Sequence, residues 1–287
     1  MLTAEELRQI QRLSVQAGRR VDSLFAGGYR SAFKGRGMEF DEVRPYVEGD
    51  DVRRIDWNVM ARTDAAYVKV FQEERELTMM LAIDVSGSMG FGSGGKDGLT
   101  DKRKQQARVA GALAYAAIRN NDRVGLLCFS DKVELFVPPR KNRGHAWRVI
   151  REVFSHSTQG RRTDVGQALE TLSRSLKRRA VVCVISDFLG EDPRQALAVL
   201  AARHRTHCFV ISDPLELRAP SVGLLELQDA ETGRRMVVDA SGWTAEDWHR
   251  QRETVLRQTG ASVSNIGTDV DPFLALMKHF RQAERQR

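Results

Sequence analysis

Leu77-Thr-Met-Met-Leu-Ala-Ile-Asp84-Val-Ser86-Gly-Ser88-Met-Gly90 is the stretch on which the fold turns. It is an almost continuously apolar run that ends on a carboxylate and passes straight into serines and glycines. A strand apolar on both faces belongs inside a parallel sheet covered by helices on each side; a strand with one wet face would alternate. Working outward, Val124-Gly-Leu-Leu-Cys-Phe129, Ala180-Val-Val-Cys-Val-Ile185 and Thr206-His-Cys-Phe-Val-Ile211 are three more such runs. Between them, residues 101–119 carry Ala107, Ala110, Leu113, Ala114, Ala117 and Ile118 at helical spacing. Segments 145–154, 164–176 and 194–203 also read as helices. This alternation predicts an α/β fold: a doubly wound, mostly parallel sheet with helices on both faces and ligands at the C-terminal ends of the strands.

The rest of the chain fits around that frame. Val133-Glu-Leu-Phe-Val137 follows a Ser-Asp-Lys turn and is expected as a hairpin partner at the sheet edge. Residues 223–228 and 235–238 flank Glu231-Thr-Gly233, a hairpin signal. A helix over 245–258, with Thr244 and Asp247 spaced as its cap, a strand over 261–266 and an amphipathic helix over 272–283 complete it. The first 76 residues differ. A helix is expected over 3–17, with Thr3 and Glu6 in capping-box spacing, and 27–76 is glycine-rich, charged and weakly periodic. Two parts are therefore expected: an extension over 1–76 that packs on an α/β domain over 77–287.

Composition bounds the function classes. Of 287 residues, 41% are hydrophobic and 29% charged, which suits a globular chain with a sizeable core. No stretch approaches the ~18 uninterrupted apolar residues of a membrane helix. The start, Met1-Leu-Thr-Ala-Glu-Glu, has no apolar signal region, so a cytoplasmic location without membrane partners is expected. Cys128, Cys183 and Cys208 sit in apolar runs without CxxC spacing and are read as buried free thiols. The net charge of +7 raises nucleic-acid binding, yet acidic residues interleave most of the basic ones. The local excesses, Arg140-Lys141-Asn142-Arg143 and Lys177-Arg178-Arg179, better suit a solvated face or an acidic protein partner. No nucleic-acid partner is expected.

Three patterns overlap in Asp84-Val-Ser86-Gly-Ser88-Met-Gly90-Phe-Gly92-Ser-Gly94-Gly95-Lys96-Asp97. Gly90, Gly92 and Gly95 imitate a dinucleotide loop, and Gly90, Gly95 and Lys96 most of a phosphate loop. Asp97 stands where the latter needs a magnesium-binding hydroxyl, and the former needs its first glycine directly after the strand. An aspartyl nucleophile of the haloacid dehalogenase type would need a second acid two residues on, where Ser86 stands. A metal site fits better. A carboxylate and two hydroxyls at i, i+2 and i+4 can converge as a loop leaves a strand, and hard divalent cations take oxygen ligands. Thr163, in Gly160-Arg-Arg-Thr163-Asp164-Val-Gly166, lies just before a helix and offers a third hydroxyl. Asp187, in Val184-Ile-Ser-Asp187-Phe188, ends the neighbouring strand. Taken singly, each has a plainer reading, Thr163 as a helix cap and Asp187 as a turn residue. With Asp84, Ser86 and Ser88 in this order, they make a metal site.

The set resembles the metal-ion-dependent adhesion site of von Willebrand factor A domains, over about residues 77–211. That resemblance implies Mg2+ (or Mn2+ or Ca2+) held directly by Ser86, Ser88 and often Thr163, with Asp84 and Asp187 acting largely through water. A partner carboxylate would complete the shell. Gly35-Arg-Gly37-Met-Glu39-Phe40, Val43-Arg44-Pro-Tyr46, Gly49-Asp50-Asp51-Val-Arg53-Arg-Ile55-Asp56-Trp57, Ala61-Arg62 and Val68-Lys69-Val-Phe71-Gln-Glu-Glu74-Arg75 are similar to bacterial domain-of-unknown-function family 58. In that family the segment precedes an A-type domain. This resemblance implies a non-enzymatic adaptor or co-chaperone partnered with a MoxR-type AAA+ ATPase and an unidentified client. Asp50, Asp51, Arg53 and Asp56 read equally well as an internal salt-bridge cluster or as a binding surface. The competing classes are a metal-dependent hydrolase and a nucleic-acid binder using the 140–151 face. None of the six histidines lies in the three motif loops, and Glu191 is the one spare acid nearby.

Overall fold

A computed structural model describes residues 39–63, 65–72, 77–92, 101–156, 160, 162–218, 223–229, 231–241 and 245–285. The expected helix over 3–17, the glycine run 93–100 and the cap residue Thr244 lie outside them. The chain divides into two compact units, with residues 33–76 in one and the whole segment from 77 onward in the other.

The larger unit is built on a six-stranded sheet. Its strands are β3 (Thr78–Asp84), β4 (Arg123–Phe129), β5 (Val133–Arg140), β6 (Val181–Ser186), β7 (Arg205–Ser212) and β10 (Ser262–Gly267), in the order β10-β7-β6-β3-β4-β5. All neighbours run parallel except β5, which returns antiparallel on β4 at the edge. This is the doubly wound, von Willebrand factor A-like arrangement expected from the sequence. The continuous apolar runs become the central strands, and Met79 to Ile83 of β3 are all buried. Gly125 in β4 is needed where β5 bulges across it, since a Cβ there would lie 2.7 Å from the Met80 sulfur and 2.8 Å from the Pro139 nitrogen.

Helices cover both faces. α2 (Lys102–Arg119), capped by the Asp101 carboxylate accepting from the Lys104 N–H, packs its alanines on β3 and β4 beside α3 (Arg143–Ser155) and α8 (Pro272–Arg285). The opposite face carries α4 (Val165–Ser175), α5 (Arg194–Arg203) and α7 (Glu246–Gln258), whose Leu169, Leu172, Leu197, Leu200 and Leu256 join one core cluster with Met80, Leu127 and Val184. A four-residue helix, α6 (Pro214–Leu217), follows β7. The expected hairpin forms as β8 (Leu224–Gln228) and β9 (Arg235–Asp239). The expected side-chain cap of α7 is not what the described residues show: Ala245 holds the cap position without a side-chain bond, and Asp247 lies inside the first turn. The three cysteines are buried free thiols, and burial pushes the Cys128 thiol up to about 12.

The smaller unit departs from the irregular segment expected there. β1 (Glu39–Pro45) and β2 (Tyr67–Gln72) pair antiparallel, and between them lie a 3-10 turn at Val52–Arg54 and a short helix, α1 (Trp57–Thr63). The acids read as a salt-bridge cluster or a binding surface take part in local geometry. Asp50 makes a two-pronged ion pair with Arg44, at 2.6 and 2.7 Å. Asp51 accepts from the Arg53 N–H, and Asp56 from the Asn58 and Val59 N–H groups at the start of α1. Side-chain capping, which periodicity does not reveal, organises this unit.

Candidate functional site

The site begins with two strand ends. β3 and β6 are adjacent and parallel, with Ile83 beside Ile185, so Asp84 and Asp187 emerge on the same sheet edge. Gln106 of α2 ties the ends together by donating to the backbone oxygens of Asp84 (2.8 Å) and Ile185 (3.0 Å). Asp84 is fully buried; one carboxylate oxygen accepts from the Ser186 hydroxyl at 2.6 Å and the other from the Ser86 N–H at 2.9 Å. After β3 the chain enters a 3-10 turn, Gly87–Gly90, with Ser86 extended just before it. That geometry turns Ser86 and Ser88 to one side, their Oγ atoms 3.1 Å apart.

The other two motif residues come from neighbouring loops. Thr163 precedes α4, in a loop pinned by the Asp164 N–H donating to the Ser130 oxygen. It lies against the segment following Asp187: a Cβ on Gly190, whose φ is +140°, would sit 3.1 Å from the Thr163 oxygen. Phe188, at φ 53°, is held in the left-handed region while its N–H bonds to the Ser186 hydroxyl, a backbone strain stored beside the site. All five motif side chains belong to buried residues.

Folding also delivers residues that the motif did not name. Lys102, the first residue of α2, is fully buried, and its ammonium donates to Asp187 Oδ2 at 2.7 Å and Glu216 Oε1 at 2.5 Å. Glu216 is aimed by the capping box of α6, its second oxygen accepting from the Asp213 N–H. Arg252 of α7 donates to the Asp187 backbone oxygen and to His249 Nδ1, each at 2.5 Å. At the tip of the β8–β9 hairpin, the Glu231 carboxylate accepts from the Thr163 hydroxyl at 3.1 Å. Lys102 was masked in sequence by its charged run Asp101-Lys-Arg-Lys104, in which nothing marks the one buried cation. The motif loops contain no histidine, as read, but His249 approaches the acids through Arg252. Burial, with Arg252 and Lys102, lowers its pKa to about 4, so it is neutral.

The electrostatics suit a cation. Burial, then the nearby Asp187 charge, pushes the Asp84 carboxyl up from 3.8 to about 7, against the pull of its serine hydrogen bonds. Burial alone would lower the Lys102 ammonium, but the Asp187 and Glu216 charges outweigh it and hold it above its ordinary value. Lys102 therefore compensates Asp187 and Glu216 but has no bond to Asp84. Among the described residues no group of three or more His, Cys, Asp and Glu gathers to hold a metal. The candidate donors are of another kind, hydroxyls backed by two acids. The Ser86 and Ser88 hydroxyls are hydrogen-bonded to each other at 3.1 Å, a separation that adjacent ligands of one small cation also have, since bonds of ~2.0–2.1 Å at right angles put them about 3 Å apart. The donor set fits a hard divalent ion.

Residues 42–255 match the family profile described as protein of unknown function DUF58. The chain belongs to the DUF58 family. An uncharacterised protein of Mycobacterium tuberculosis is 30% identical over 289 aligned positions, covering 96% of this chain and 89% of that relative. An uncharacterised protein of Mycobacterium bovis matches equally. Among solved structures, the conserved hypothetical protein BatB of Bacteroides thetaiotaomicron superposes with a TM-score of 0.51 at 16% identity, over 73% of this chain and 99% of that one. An aerotolerance-related membrane protein of Bacteroides fragilis gives 0.51 at 17%, over 74% and 100%. These structural likenesses speak to the fold alone. Among the described residues of this DUF58 protein, no helix is long and apolar enough to cross a membrane.

Proposed function

We propose that this DUF58 protein is a non-enzymatic, cytoplasmic adaptor that grips a carboxylate on a partner through a divalent cation at the strand-end site. The partner proposed, from the family resemblance, is a MoxR-type AAA+ ATPase, which the adaptor links to a client. The observation that carries the reading is the Ser86 and Ser88 hydroxyl pair, 3.1 Å apart beside the buried Asp84. Ser86, Ser88 and Thr163 would hold Mg2+, with Asp84 and Asp187 behind them. Bound there, the ion supplies an electrophilic point that neutral hydroxyl ligands leave under-neutralised and open to an anionic oxygen.

The chain's own residues set the terms of that grip. Lys102 takes up charge from Asp187, which keeps the carboxylate from cancelling the cation completely. Gln106 and Ser186 fix the strand ends, and Phe188 and Gly190 shape the loop beside Thr163. Glu231 already occupies the Thr163 hydroxyl, which donates to its carboxylate at 3.1 Å, and a cation held by Thr163 would have to share that hydroxyl with it. The test is capture of partners from lysate by the wild type and by Asp84→Ala with Ser86→Ala, in magnesium and in EDTA. Recovery of an AAA+ ATPase only with intact residues and magnesium is the expected result. Recovery of the same partners regardless of substitution or chelator would overturn the reading.

A further inference from the structure

The same sheet has a second concavity at its other edge, where β6, β7 and β10 begin. A cavity of about 480 Å³ opens there, lined by Arg179, Arg205 and Arg257, by His204 and Thr206 at the start of β7, and by the 260–262 turn into β10. The proposed metal-site residues lie at the C-terminal ends of the strands, so the two places are separated by the length of the eight-residue β7, about 25 Å. The proposed grip does not use this cavity.

Two buried polar atoms in it need explaining. His204 and Thr206 are each 3% exposed, and among the described residues neither His204 Nε2 nor Thr206 Oγ1 has a hydrogen-bond partner. His204 Nδ1 accepts from the Ala180 N–H at 3.3 Å, so the neutral ring carries its proton on Nε2. Burial, with the Arg203 and Arg179 charges, lowers the His204 pKa and favours that neutral form. A buried N–H and a buried hydroxyl left unmatched cost free energy, on the order of 1–3 kcal/mol each, unless a ligand receives them.

The surroundings decide the sign of that ligand. Three guanidinium groups line the cavity, and none of the described lining residues is acidic; Arg257 also pairs with Glu253 at 3.6 Å, and Arg205 has an interaction of its own. An ammonium or a metal would be repelled. A carboxylate offers two oxygens, whereas a phosphate group offers more acceptors and more charge to forked guanidinium donors. We infer that this cavity is an anion site for a phosphate group, bound by Arg179, Arg205, Arg257, His204 and Thr206. The basic run Lys177-Arg178-Arg179 thereby acquires a use beyond solvation. The volume exceeds that of a lone phosphate and matches a small phosphorylated molecule.

The experiment is calorimetric titration of the full chain with inorganic phosphate and, in parallel, with adenosine monophosphate, each against sodium chloride of equal ionic strength. Saturable binding of one phosphate group per chain is expected. Tighter binding of the monophosphate would assign the site to phosphorylated small molecules, and equal binding would assign it to the bare anion. Arg179→Gln with Arg257→Gln, both at partly exposed positions, should weaken binding at least tenfold. Thr206→Val, nearly the same in shape, should weaken it severalfold. Arg140→Gln with Arg143→Gln, which removes the same charge elsewhere, should leave it unchanged. Absence of saturable binding, or equal loss in the Arg140 and Arg143 control, would overturn the inference.

Discussion

Lys102 and Asp84 are ionisable groups buried at the same edge of the sheet, and each gives a measurable consequence. Lys102 is enclosed with Asp187 and Glu216, and breaking a buried pair by removing one partner costs about 3–5 kcal/mol, because the other charge stays buried. Lys102→Met should therefore lower Tm by roughly 10 °C in EDTA, and magnesium should restore part of the loss by standing in as the missing positive charge. Unchanged Tm in a thermal melt would show that the ammonium is not holding the carboxylates. Asp84 works through pH. Its folded pKa of about 7 lies above the unfolded value near 3.8, so the folded state keeps a proton that the unfolded chain has released. Without metal, stability from this group is full below about 3.8 and is lost as pH climbs towards about 7, with little change beyond. A divalent cation must displace that proton, so magnesium affinity should rise between about pH 6 and about pH 8. Asp84→Asn should flatten the stability slope. Calorimetry in two buffers of different ionisation enthalpy reads the proton release directly, and equal affinity at both pH values would refute it.

The β8–β9 hairpin is one of the elements that reach the site from outside the motif. Asp229 shapes its tip by accepting from the Glu231 and Thr232 N–H groups, and Gly233 takes the φ of +72° that the turn requires. Glu231 is thereby held against Thr163. A carboxylate there competes with any partner carboxylate for the same hydroxyl, so Glu231→Ala should strengthen magnesium-dependent partner capture about three- to tenfold, the net worth of one ordinary hydrogen bond. Weaker capture by this variant would show that Glu231 assists binding and does not compete. The elements themselves were largely legible in the sequence, for a physical reason. Central parallel strands must be apolar on both faces, and amphipathic helices must repeat every three to four residues. What escaped was structure made by side chains bonding to nearby backbone. The turn and short helix between β1 and β2 rest on Asp51 and Asp56, and these read only as charge.

At the scale of the whole molecule, sheet order converts distant residues into neighbours. The order β6-β3-β4 puts Asp84 beside Asp187, 103 positions apart in the numbering, and the two acidic strand ends, read together with Asp-x-Ser-x-Ser, made that neighbourhood legible. The other half was illegible. Lys102, Glu216, Arg252 and Glu231 come from four different elements, and only the packing of α2, α6, α7 and the hairpin onto one edge selects them from 45 basic and 38 acidic residues. The cavity at the opposite edge was likewise hidden, since its arginines are scattered through the sequence. The most direct measurement of the central claim is equilibrium binding of Mn2+ followed by electron paramagnetic resonance, with the wild type beside Ser86→Ala with Ser88→Ala. One tightly bound ion per chain, lost in the variant while its circular dichroism and melting curve are kept, is the result expected. No stoichiometric binding in the wild type, or the same binding without the two hydroxyls, would contradict the assignment of this edge as a cation site.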